Sequence, residues 1–98
     1  MRAYWIARVN VNDKEAYTEY AKRVGPALKK YNGKFLVRGG KFAILEGKNE
    51  YERNIVIEFP SFEIAKEFYN SKEYQDAKLF RDGKADFNGI VVEGSNTE

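Results

Sequence analysis

The chain has 98 residues, 17 Lys+Arg against 15 Asp+Glu for a formal net charge of +2, 43% hydrophobic residues, and neither Cys nor His. That length suits one soluble domain with a thin core, read here as residues 1–94 followed by a polar tail at 95–98. Without thiols or imidazoles, disulfides, structural zinc, iron–sulfur clusters, Cys nucleophiles and Ser-His-Asp triads are excluded, and no cofactor is expected.

The opening Met1-Arg2-Ala3-Tyr4-Trp5 lacks the apolar core of a signal peptide. No apolar run approaches the roughly 20 residues needed to span a bilayer, so the expectation is a cytoplasmic protein with no membrane partner.

Ala3, Trp5, Ala7 and Val9 alternate with Tyr4, Ile6, Arg8 and Asn10, which predicts a first strand. Asn12 with Glu15 three residues on predicts a helix start. The stripe Ala16, Tyr17, Tyr20, Ala21, Val24, Leu28 and Tyr31 then predicts a helix, with a kink at Gly25-Pro26 and a stop at Asn32-Gly33. Lys34 to Arg38 and Lys41 to Glu46 read as one long second strand bent at Gly39-Gly40. Arg53 to Phe59 is a β-branched third strand closed by Pro60. Pairing Phe42 with Ile57, Ile44 with Ile55 and Glu46 with Arg53 satisfies apolar and charged pairs together, which predicts a hairpin in that register. Ser61 caps a second helix carrying Ile64, Ala65, Phe68 and Tyr69. Asn70-Ser71 breaks it, and Tyr74, Ala77 and Phe80 continue it to Asp82-Gly83. Phe87 to Glu93 is the last strand.

The order β-α-β-β-α-β predicts an α+β, ferredoxin-like domain: one antiparallel sheet with two helices on one face. The helix-free face is expected to carry Tyr4, Ile6, Leu36, Ala43, Leu45, Val56 and Val91, interleaved with Arg8, Arg38, Asn54, Glu58 and Glu93. No further element is available to cover it. The partner expected there is a second copy, giving a homodimer through the helix-free sheet face.

Four stretches carry a family resemblance: Gly33-Lys34-Phe35-Leu36-Val37-Arg38-Gly39-Gly40, Leu45-Glu46-Gly47, Ile55-Val56-Ile57-Glu58-Phe59-Pro60-Ser61-Phe62 and Phe68-Tyr69-Asn70-Ser71-Lys72-Glu73-Tyr74. With the opening Tyr4-Trp5-Ile6-Ala7-Arg8-Val9, they resemble the domain of unknown function 1330 family. The resemblance implies a dimeric α+β barrel. It implies no activity, since relatives in that superfamily range from cofactor-independent monooxygenases to haem enzymes and isomerases, and the absence of His speaks against the haem branch.

Candidate site residues each have a chemical and a structural reading. Arg38, ahead of two glycines, suits an anionic substrate or a solvated ion pair. Glu46 and Arg53 either orient a ligand or form a cross-strand pair. Glu58, beside Ile57 and Phe59, is the best general-base candidate in a chain without His, or else the partner of an arginine. Tyr69 and Tyr74 flank the Asn70-Ser71 break, where hydroxyls could face a cleft between helix and sheet, or simply pack.

Two functions follow: a cofactor-independent oxygenase or isomerase acting on a small acidic or aromatic ligand, or a non-catalytic metabolite-binding or interaction module. Nucleic acid is not an expected partner. The third strand, Arg53-Asn54-Ile55-Val56-Ile57-Glu58-Phe59, lacks the basic aromatic stacking platform of RNA-recognition motifs.

Overall fold

The computed structural model describes residues 1–95; positions 96–98 of the expected tail lie outside the described residues. The elements are β1 (Ala3–Val11), α1 (Lys14–Lys30), β2 (Lys34–Arg38), β3 (Arg53–Phe59), α2 (Phe62–Asn70), α3 (Lys72–Lys78) and β4 (Ala85–Glu93). The four strands make one sheet in the order β2-β3-β1-β4, and every neighbouring pair is antiparallel. This is the expected ferredoxin-like α+β fold, with the second helix divided in two. Among the described residues no helix is long and apolar enough to cross a membrane.

Strand alternation builds the two layers. Ala3, Trp5, Ala7 and Val9 of β1 and Ile55, Ile57 and Phe59 of β3 are buried under the helices. From the helices, Tyr17, Tyr20, Val24, Ala27, Leu28, Ala65, Phe68, Tyr74 and Ala77 close the core. Phe68 packs on Phe59 and Tyr74 at ring-centroid distances of 5.2 and 4.9 Å. The molecule measures 39 × 37 × 17 Å, the thickness of one sheet plus one helix layer.

Local chemistry starts and stops the helices. Asp13, one residue later than expected, caps α1 by accepting from Ala16 N at 3.1 Å. α1 runs unbroken through Pro26, where a kink was expected. It ends at Tyr31, followed by Asn32 at φ 58°. Ser71 serves two helices at once. Its Oγ donates to Phe68 O at 2.7 Å, closing α2, and accepts from Tyr74 N at 3.1 Å, opening α3.

The β2–β3 register differs from the expectation. Phe35, not Phe42, faces Ile57; Arg38, not Ile44, faces Ile55; a bulge separates Phe35 from Val37. After Arg38 the chain leaves the sheet. Gly39 donates to Asn54 O at 2.9 Å as the ladder ends, and its φ of +70° turns the backbone away. Residues 39–52 are therefore a loop rather than the outer half of a bent strand. Phe42, Ile44 and Leu45 are exposed in it. Its far end is tied to β1, because Arg8 Nη2 donates to Asn49 Oδ1 at 2.7 Å and Glu52 N donates to Asn10 Oδ1 at 2.8 Å.

The helix-free face also differs in detail. Val91 pairs with Trp5 and Arg38 with Ile55, so both lie on the helix side. Ala43 and Leu45 belong to the loop, outside the sheet. The helix-free face carries Tyr4, Ile6, Val37, Val56, Ile90 and Val92 with Arg8, Asn54 and Glu58, following the pairings Ile6–Val56, Ile6–Ile90 and Tyr4–Val92.

Candidate functional site

One row of residues crosses the helix-facing side of the sheet from edge to edge: Arg38, Ile55, Ala7 and Gly89. Its β1 and β4 members, Ala7 and Gly89, are small. The flanking rows hold Trp5 with Val91 and Val9 with Phe87. Small residues between large ones leave a trough that the helices roof over.

At the β4 end the trough opens into a cleft of about 570 Å3 between α2, α3 and the sheet. Trp5, Phe87, Gly89 and Val91 form its sheet side, Lys66 and Tyr69 come from α2, and Lys78 and Arg81 lie on or after α3. Tyr69 stacks at 5.8 Å from Trp5 in a tilted arrangement, so its half-exposed ring forms a wall. A cleft of this size lined by aromatic rings and a few convergent polar groups is the usual form of a small-molecule site. Among the described residues, the charged ones lining it, Lys66, Lys78 and Arg81, are all cations.

Arg81 is the unusual member. It is only 5% exposed, and its guanidinium lies 3.7 Å over the Phe87 ring. Nη2 donates to the Tyr74 hydroxyl at 3.0 Å, and that hydroxyl sits 2.8 Å from the Tyr20 hydroxyl. Nε is buried and has no hydrogen-bond partner among the described residues. The nearest carboxylate, Asp82, is 3.7 Å from Nη1, is 45% exposed, and already accepts from Lys78 at 3.1 and 3.2 Å. A buried charge so thinly compensated is costly and marks a candidate site.

The three phenols behind this wall hold their protons. Burial pushes Tyr20 well above the ordinary phenol value, with neighbouring Tyr74 adding to the rise. Burial also raises Tyr74, against the opposing pull of Arg81, and raises Tyr17, against Arg53 and Arg81. At neutral pH they are hydrogen-bond donors, not bases.

The residues singled out from the sequence fall into separate places. Tyr69 lines the cleft, and Tyr74 stands fully buried behind it, 5.1 Å from Trp5 in an edge-on contact. Arg38 and Arg53 meet at the other end of the trough, under α1. Glu58 faces the opposite side of the sheet, across from Tyr4 as expected, with Arg2 Nε at 3.5 Å. Glu46 is exposed in the 39–52 loop, so the expected Glu46–Arg53 cross-strand pair does not form. Among the described residues no cluster of acidic side chains could hold a metal ion.

Arg81, Lys66, Lys78 and Gly89 were not singled out from the sequence. A signal for Arg81 exists. Tyr74, Ala77 and Arg81 follow i, i+3, i+7 spacing, so a cation occupies the core-facing position, and Phe80 is half exposed and stacked on Arg23 instead.

Known structures share this architecture. A protein of unknown function from Rhodopseudomonas palustris, RPA0582, aligns with a TM-score of 0.78 at 20% identity, over 97% of this chain and 83% of that one. A dimeric protein of unknown function with a ferredoxin-like fold from Bacteroides fragilis gives 0.64 at 10% identity, over 95% and 96%. SnoaB, a cofactor-independent oxygenase from Streptomyces nogalater, gives 0.64 at 8% identity, over 98% and 95%. No curated protein matches the sequence. The family resemblance seen in the sequence holds over residues 2–95, and the chain belongs to the domain of unknown function 1330 (DUF1330) family.

Proposed function

We propose that this protein is a small-molecule-binding homodimer of the α+β barrel type, whose helix–sheet cleft takes a ligand with a carboxylate on an aromatic or apolar body. The observation that carries this reading is Arg81, a buried guanidinium on the cleft wall with an unpartnered Nε and only a loosely held, half-exposed carboxylate nearby. A ligand carboxylate would supply the missing compensation through charge-assisted hydrogen bonds, and Lys66 and Lys78 would add attraction at the rim. Trp5, Tyr69 and Phe87 offer ring faces and edges to the ligand body. Among the described residues, no Asp or Glu lines the cleft to repel an acid.

Twinning follows from the bare sheet face. Ile6, Val37, Ile90 and Val92 are exposed there, around half-buried Tyr4 and Val56. A contiguous apolar patch of that kind is covered most simply by its own copy, and the Bacteroides fragilis neighbour is dimeric.

The alternative is turnover, as a cofactor-independent oxygenase or isomerase. The fold shared with SnoaB permits it. Yet the phenols behind the cleft stay protonated, and Glu58 stands on the other side of the sheet. Both facts favour binding over proton abstraction at this cleft.

A thermal-shift series tests the reading, with benzoate and 2-naphthoate set against benzamide and 2-naphthamide at matched ionic strength. The carboxylates raise Tm in a saturable way and the amides do not. Lys78→Gln, a rim change that leaves the buried chain intact, weakens the effect about threefold, and Arg81→Lys weakens it at least tenfold. Equal shifts for acids and amides, or none, contradict the proposal.

A further inference from the structure

The opposite end of the trough carries a second, chemically different hollow. It lies beneath α1, has a volume of about 50 Å3, and is lined by Tyr17, Val24, Phe35, Arg38, Arg53 and Ile55 among others. Trp5 and Phe87 line both hollows and form the wall between them.

Two guanidinium groups converge on it without a counter-charge. Among the described residues, neither Arg38 nor Arg53 has a carboxylate within ion-pair distance. Arg53 Nε is buried and has no hydrogen-bond partner among the described residues. The fold holds this group in place from two sides. The Tyr17 ring centroid lies 5.6 Å from its central carbon, and a Cβ on Gly39 would stand 2.8 Å from Nη2. Gly39 is thus bare where Arg53 needs room, and its φ of +70° is one that side-chain-bearing residues avoid. Arg38 lies at the exposed mouth, 4.2 Å over the Phe35 ring. Both cations pull the Tyr17 phenol down against the larger effect of its burial, as groups close to it must.

We infer that this hollow is a separate binding site for a short-chain monocarboxylate, with Arg53 and Arg38 as its two anchors. Two like charges side by side repel, and an anion between them removes the repulsion while satisfying the orphaned Nε–H. A planar carboxylate matches the guanidinium fork, and the remaining lining of Val24, Phe35 and Ile55 suits a one- or two-carbon tail rather than a fully polar oxyanion. The small volume excludes an aromatic ring, so the ligand differs from the one proposed for the cleft.

The test is a titration of the intact protein, following the arginine side-chain Nε–H signals in 1H–15N spectra. Sodium acetate and propionate are compared with sodium chloride and phosphate at matched ionic strength, with benzoate as the cleft probe. Acetate is expected to shift the Arg53 Nε–H signal saturably, with a Kd in the millimolar range, while chloride does not. Arg53→Gln and Gly39→Ala are expected to weaken acetate binding at least tenfold and to leave benzoate binding unchanged. Arg38→Gln, at the exposed mouth, provides a variant that keeps the fold and weakens acetate about threefold or more. Acetate shifts no larger than those of chloride, phosphate binding as tightly as acetate, or acetate binding indifferent to Arg53 and Arg38 would each overturn the inference. Loss of benzoate binding with acetate binding intact would instead strike only the cleft.

Discussion

The Tyr20 and Tyr74 hydroxyls lie 2.8 Å apart in the interior, and Arg81 Nη2 donates to the second of them at 3.0 Å. This short chain ties α1 to α3 and holds the Arg81 guanidinium at the cleft. Removing its middle member, Tyr74, strips the Tyr20 hydroxyl and Arg81 Nη2 of this partner, whereas removing the Tyr20 hydroxyl leaves Tyr74 still bonded to Arg81. Tyr74→Phe is therefore expected to cost about 2–3 kcal/mol and Tyr20→Phe about 1 kcal/mol. Urea unfolding of the two variants and of the double variant checks this. The double variant should lose less than the sum of the two, because both substitutions break the same hydrogen bond.

Alkaline stability follows from the same phenols. Folding raises the pKa of Tyr17, Tyr20 and Tyr74 above the ordinary value of 10.0, with burial as the largest cause in each case. A group raised in the folded state contributes stability that is complete below the unfolded value and is lost as pH rises through the folded value. Stability should thus be flat up to about pH 10 and fall beyond it as the unfolded chain sheds these protons. Absorbance near 295 nm should show three of the seven tyrosines ionising only together with unfolding. Seven tyrosines titrating together near pH 10 in a folded protein would contradict it.

Ser71 joins α2 to α3 by capping both, and it is 8% exposed. Ser71→Ala should cost about 1–2 kcal/mol in thermal or urea unfolding, at the upper end of a single cap because two helix ends lose a partner. Ser71→Thr keeps the hydroxyl and should recover part of the loss.

Ile6 sits at the middle of the helix-free face, paired with Val56 on one side and Ile90 on the other. Ile6→Lys places a charge in the proposed dimer interface without touching the core beneath the helices. Sedimentation should show the wild-type protein dimeric at tens of micromolar and the variant monomeric, with unchanged far-ultraviolet circular dichroism. A folded wild-type monomer at that concentration would end the dimer proposal.

Much of the fold was legible in the sequence because alternation and helical stripes report burial directly. Trp5 falls in the same phase as Ala3, Ala7 and Val9, and all four are core. The β2–β3 register was not legible. Phe35 and Phe42 both offered an aromatic to face Ile57, and the choice rested on Gly39 turning the chain out of the sheet, which composition does not reveal. Val91 shows the same limit, since a run of apolar residues in an edge strand carries no phase of its own. For the site, Tyr69, Arg38 and Arg53 were each legible as candidates, but Arg53 was matched with Glu46, and its place beside Arg38 at one hollow was not legible. Arg81 was hidden because the neighbouring Phe80 was assigned to the apolar stripe of that helix, and Gly89 was one glycine among eight.

Mapping of a bound aromatic carboxylate by 1H–15N chemical shifts locates the ligand on the protein, and the proposed place is the cleft beside β4. With 2-naphthoate near saturation, the largest changes should fall on the Trp5 indole N–H, the Arg81 Nε–H and the amides of Tyr69, Gly89 and Val91. Changes centred on Tyr4, Ile6 and Val56 of the opposite face, or no saturable change at the cleft, would contradict it.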